Sequence, residues 1–122
     1  MKRIMVVDDV TANLKCCNNI LKDKYQIDMV RSGTEALSHL HGEKPDLVLL
    51  DIHLPDIDGY EVLERIKGDE KAAGIPVIFV TAETKPEWED KGRALGAVGY
   101  IRKPFSAEVL RACVERALGD AG

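Results

Sequence analysis

Five short apolar runs, separated by stretches of helical periodicity, constrain this chain more than any other feature. The runs are Ile4-Met5-Val6-Val7, Ile27-Asp28-Met29-Val30, Leu47-Val48-Leu49-Leu50, Val77-Ile78-Phe79-Val80 and the shorter Gly99-Tyr100-Ile101. The first, third and fourth are continuously apolar, as strands buried on both faces of a parallel sheet are. The second alternates more, which suits an edge strand. Between the runs, apolar residues recur at helical spacing: Leu14, Cys17, Ile20 and Leu21; then Ala36, Leu37 and Leu40; then Tyr60, Val62, Leu63 and Ile66. Trp88, Gly92 and Leu95 mark a fourth and weaker helix, expected to start after Pro86, with Trp88 partly buried near its start. Val109, Leu110, Cys113, Val114, Ala117 and Leu118 make the apolar face of a fifth. Strands alternating with helices over short connections predict an α/β fold with a parallel sheet, right-handed crossovers and helices on both faces.

In an open α/β sheet, ligands bind beyond the carboxyl ends of the strands. Asp8, Asp9 and Val10 follow the first strand, and Asp51, Ile52 and His53 the third. Thr81, Ala82 and Glu83 follow the fourth, and Arg102, Lys103 and Pro104 the fifth. Three carboxylates brought together repel unless they share a proton or a cation. Oxygen donors point to a hard ion, Mg²⁺ or Mn²⁺, rather than zinc. Lys103 adds a point positive charge and Thr81 a hydroxyl donor. A carboxylate flanked by a metal and a lysine suits phosphoryl acceptance, where catalysis is mostly positioning and charge neutralisation. Taken singly, these residues have plainer roles: Asp8 or Asp9 as a helix cap, Asp51 as a turn residue, Thr81 as a helix start, Lys103 as a solvated charge. Their occurrence together at strand ends favours one shared site.

Composition narrows the function. The 122 residues fit one domain, and no apolar run approaches the roughly 20 residues of a membrane span. Met1 to Val7 reaches Asp8-Asp9 too soon for a signal-peptide core, so the expected setting is cytoplasmic. A net charge of −4, with Lys and Arg scattered among acids, argues against direct nucleic-acid binding. Cys16, Cys17 and Cys113 match no zinc spacing, and Cys17 and Cys113 are expected as small buried hydrophobes.

The whole pattern resembles the receiver (CheY-like) domain of two-component response regulators, from about Lys2 to Leu118. Its carriers are Val6-Val7-Asp8-Asp9, the segment Asp51-Ile52-His53-Leu54-Pro55-Asp56-Ile57-Asp58-Gly59, then Thr81-Ala82 and Lys103-Pro104-Phe105. The resemblance implies a flavodoxin-like, doubly wound sheet of five parallel strands in the order 2-1-3-4-5 with five helices. It implies that Asp51 accepts a phosphoryl group from the phosphohistidine of a sensor kinase or phosphotransfer protein. Asp8, Asp9, Asp51 and the backbone carbonyl of His53 would hold Mg²⁺, and Thr81 and Lys103 would bind the phosphoryl oxygens. Tyr100 matches the aromatic that turns inward when Thr81 moves. The peptide between Lys103 and Pro104 is expected to be cis. His53 and Glu83 flank the route of attacking water and are expected to tune dephosphorylation. The output face would comprise the fourth helix, fifth strand and fifth helix, for an effector or a second copy in a homodimer. The stretch Asp9-Val10-Thr11-Ala12-Asn13 is similar to receivers attached to cyclic-dinucleotide enzymes or hybrid kinases. Residues 1–118 form the expected domain and 119–122 a tail or the start of a linker.

Other classes fit less well. A flavin-binding protein of this fold would place hydroxyls and N–H groups after the first strand, where Asp8-Asp9 would repel a phosphate. A haloacid-dehalogenase-type phosphatase would need an Asp-x-Asp motif there, and a cap that 122 residues leave no room for. The alternative of another class is a module that binds its partners without phosphate.

Overall fold

The computed structural model of the chain describes residues 1–119. Five strands, β1 (Arg3–Val7), β2 (Gln26–Val30), β3 (Leu47–Leu50), β4 (Val77–Thr81) and β5 (Gly99–Arg102), alternate with five helices. The helices are α1 (Thr11–Leu21), α2 (Gly33–His39), α3 (Gly59–Gly68), α4 (Pro86–Ala94) and α5 (Ala107–Leu118). All strand pairs are parallel and the order is β2-β1-β3-β4-β5, as expected. The alternating β2 is indeed an edge strand.

Successive residues of a strand point to opposite sheet faces, so a continuously apolar strand feeds two cores. Met5, Val7, Val48, Leu50 and Phe79 join the core under α2, α3 and α4, with Ala36, Val62, Leu63 and Ile66. Ile4, Val6, Leu49, Ile78, Val80 and Ile101 join the core under α1 and α5, with Leu14, Cys17, Leu110 and Val114. Val109, read as part of the apolar face of α5, is instead 48% exposed.

Local signals set the helix ends. The side chains of Ser32, Asp58 and Ser106 accept hydrogen bonds from the backbone N–H groups of Glu35, Glu61 and Val109, capping α2, α3 and α5. Helix α4 begins at Pro86 itself rather than after it, because proline is preorganised for the first helical position and lacks a donor that would go unpaired there. Gly119 stops α5 in the left-handed conformation, φ 66°, so the first residue of the expected tail is the stop of the helix. The remaining tail residues, 120–122, lie outside the described residues. Among the described residues, no helix is long and apolar enough to cross a membrane.

Candidate functional site

The carboxyl ends of β1, β3 and β4 deliver three buried polar residues to one edge: Asp8 (4% exposed), Asp51 (7%) and Thr81 (0%). Parallel pairing in register aligns these ends: Val7 is opposite both Val30 and Leu50, and Thr81 is opposite Arg102. The ladder continues past the strands, with Asp51 N–H donating to the Val7 carbonyl (3.0 Å) and Lys103 N–H to the Thr81 carbonyl (2.8 Å). Lys103, next to the cis peptide that joins it to Pro104, reaches into the cluster. Its Nζ donates to Asp8 Oδ2 at 2.6 Å and to Asp51 Oδ2 at 2.9 Å. The second oxygen of Asp8 accepts from Val10 N–H (2.9 Å), and that of Asp51 accepts from His53 N–H in a long 3.4 Å contact. Neither Asp8 nor Asp9 is the cap residue of α1, which is Val10.

Burial is the largest influence on the Lys103 ammonium and opposes its charge. The hydrogen bonds and attraction of Asp8 and Asp51 outweigh it and raise its pKa. One ammonium thus faces two buried carboxylates, and unit negative charge is left over. Asp9, which follows directly, is exposed and stands outside this triad.

Among the described residues, no group of three or more His, Cys, Asp or Glu side chains is arranged to hold a metal ion by itself. The donor chemistry nevertheless suits a hard divalent cation: buried carboxylate oxygens in excess of the lysine, a further acid beside them, and no nitrogen or sulfur donor in the triad. An ion there would need main-chain oxygen, water or a bound phosphoryl group to complete its shell.

A second group surrounds the first. His53 Nε2 is paired with the Glu83 carboxylate, joining the loop after β3 to the loop after β4. Thr81 Oγ1 accepts a long contact from Glu83 N–H (3.5 Å), and the Tyr100 hydroxyl donates to the Glu83 carbonyl (3.3 Å). Thr81 closes β4, and residues 82–85 separate it from α4. Beneath the loop after β3, a Cβ on Gly59 would lie 2.3 Å from the Asp51 carbonyl oxygen, so no larger residue fits without displacing that loop.

Three features escaped sequence reasoning. Asp56, quoted within the motif but given no role, accepts from the N–H groups of Gly33 and Thr34 and ties the loop after β3 to α2. Its bond with Thr34, foremost among several, holds its carboxyl well below the usual carboxylate range. Trp88 packs edge-on to His53 (5.6 Å between ring centres), and Tyr60 stacks under Trp88 (5.9 Å). Burial, with smaller repulsion from Tyr100, Asp58 and Glu83, pushes the Tyr60 phenol up to about 12, so near neutral pH it remains a donor.

Comparison with known proteins agrees with this fold. The response regulator receiver domain family matches residues 4–115, and the chain belongs to that family. The polar-differentiation response regulator DivK of Brucella ovis is 38% identical over 121 residues, covering 98% of each protein. A probable cyclic di-GMP phosphodiesterase of Vibrio cholerae is 43% identical over 111 residues, 91% of this chain but 25% of that protein. The chain therefore spans nearly all of one such relative and about a quarter of the other. A CheY-like receiver domain protein from Methanospirillum hungatei superposes with a TM-score of 0.90 at 32% identity, covering 98% of this chain and 95% of that one. Receiver domains act in two-component signalling, with histidine kinases and effectors as their partners.

Proposed function

We propose that Asp51 is the phosphoryl acceptor of this receiver. The observation that carries this is the Lys103 ammonium held between the buried carboxylates of Asp8 and Asp51. In the transfer, an Asp51 carboxylate oxygen attacks the phosphorus of a donor phosphohistidine. The new P–O bond forms as the P–N bond breaks, and the imidazole leaves with the electron pair. Lys103 then exchanges its carboxylate contact for a phosphoryl oxygen, and Thr81 turns its hydroxyl toward another. Asp8, Asp9, the second Asp51 oxygen and the His53 carbonyl would hold Mg²⁺ or Mn²⁺. Such an ion, when bound, supplies neutralisation of charge on the phosphoryl oxygens.

The movement of Thr81 is read by Tyr100, whose hydroxyl already holds the loop between β4 and α4. Phosphate thereby biases two pre-existing arrangements of the α4-β5-α5 face. The donor would be a sensor kinase or phosphotransfer protein. The output would run through a separate effector, a linked domain, or a second copy meeting this one at α4-β5-α5. Residues 1–118 would make up the receiver and 119–122 lead out of it. His53 and Glu83 set how quickly water removes the phosphoryl group, and the receiver domain itself turns over no other substrate. Three unpaired cysteines favour a cytoplasmic setting.

Intact mass after incubation with Mg²⁺ and acetyl phosphate tests the acceptor. The expected result is a gain of one phosphoryl group that disappears in Asp51→Ala and on chelation. If a phosphohistidine donor also gives no gain, and beryllium fluoride with Mg²⁺ leaves Trp88 fluorescence unchanged, the constitutive interaction module replaces this reading.

A further inference from the structure

The side chains at the mouth of the site form one connected series that ends on α4. His53 is 60% exposed at its side chain, and a surface bridge such as that with Glu83 is by itself a weak restraint. The edge of the Trp88 indole supplies a second contact, with the two ring planes 66° apart. Trp88 is in turn fixed from below. Its ring lies nearly parallel to that of Tyr60, and its carbonyl accepts a 2.8 Å hydrogen bond from the Tyr60 hydroxyl. Tyr60 is buried, meets Phe79 edge-on at 5.4 Å, and carries the Lys91 ammonium 4.4 Å above its ring centre.

We infer that Trp88 is a positioning residue for loss of the phosphoryl group. It holds the His53 imidazole in its bridge to Glu83, and so makes the lifetime of the aspartyl phosphate depend on where α4 lies. The inference rests on Asp51 being the acceptor. In hydrolysis a water oxygen attacks phosphorus and the bond from phosphorus to the Asp51 oxygen breaks. The carboxylate is restored, and inorganic phosphate leaves with the proton of the attacking water passing to solvent. The His53–Glu83 bridge spans the loops after β3 and β4, neighbouring strands of which the first leads into Asp51 and the second ends at Thr81. A bridge held in that gap stands in the path of water. A partner that lifts α4 removes Trp88, frees His53 and opens the path.

The test compares decay of the phosphorylated protein in wild type, Trp88→Leu, Tyr60→Phe, His53→Ala and the double variant Trp88→Leu/His53→Ala. Decay about two- to tenfold faster is expected in Trp88→Leu, the factor an edge-on aromatic contact is worth. Tyr60→Phe, which loses only the hydroxyl that holds the Trp88 carbonyl, should fall between this variant and wild type. The double variant should decay no faster than His53→Ala, since Trp88 acts through His53. A purely structural role would instead multiply the two effects, and that result overturns the inference, as does a wild-type or longer lifetime in Trp88→Leu. Failure of the acceptor reading shows separately, as wild type that gains no phosphoryl mass. A readout independent of phosphorylation covers that case. The His53 imidazole proton resonances should move in Trp88→Leu as the indole ring current is lost, and unmoved resonances would overturn the inference.

Discussion

Cys16 lies exposed on α1, while its neighbour Cys17 is buried against the sheet. Burial, helped by Cys16 and Asp8 and opposed by Lys103, pushes the Cys17 thiol up to about 12. The thiolate is the reactive form, so burial protects Cys17 both sterically and chemically. At about pH 8, iodoacetamide should label Cys16 in the native protein and leave Cys17 untouched, with both labelled in denaturant. Native labelling of Cys17 on mass mapping would show that α1 opens at the site edge. Sequence periodicity placed Cys17 inside correctly, because one residue step on a helix turns a side chain by roughly 100°. The same periodicity read Tyr60 as core. It could not show that the ring supports Trp88, since that contact depends on the relative placement of two helices and leaves no local mark.

Among the helices, α4 is the one whose attachment the apolar pattern described least well. Its one fully buried residue is Gly92, where a Cβ would lie 2.9 Å from two atoms of the Phe79 ring. The helix sits on the sheet through a notch rather than a ridge, and hydropathy cannot score a missing side chain. Gly92→Ala should cost about 1–3 kcal/mol from overpacking, partly offset by about 1 kcal/mol of helix propensity. Gly68, at the end of α3, has nothing within 4 Å of its would-be Cβ. Gly68→Ala should therefore be neutral or stabilising by up to about 1 kcal/mol. Urea denaturation separates the two, and Trp88 fluorescence should shift in the first and not the second. Equal stabilities would mean that α4 yields without strain.

For the molecule as a whole, the alternation of strands and helices made the architecture legible, because continuously apolar strands require cover on both faces. The acids, threonine and lysine were legible because the fold places the ends of β1, β3, β4 and β5 on one edge. The charge balance there was not legible, since it depends on which oxygens Lys103 reaches. The raised pKa values of Cys17 and Lys103 predict an alkaline limb. Above 9.0, the ordinary thiol value, an unfolded chain ionises Cys17 while the folded one keeps the proton, so stability falls as pH rises. The raised Lys103 pKa contributes stability in full below 10.5, lost as pH passes its folded value. Thermal midpoints should therefore decline between about pH 9 and pH 11, and a level profile would mean that neither group changes its proton affinity on folding.

Lys103 stands 95 residues after Asp8 and 52 after Asp51, the two acids it joins. During synthesis both carboxylates leave the ribosome long before their shared cation does. A nascent chain short of residue 103, or one clipped ahead of β5, carries Asp51 without the ammonium that faces it in the folded protein. On the proposed reading of Asp51, unfinished and broken molecules would enter the phosphorylated pool poorly.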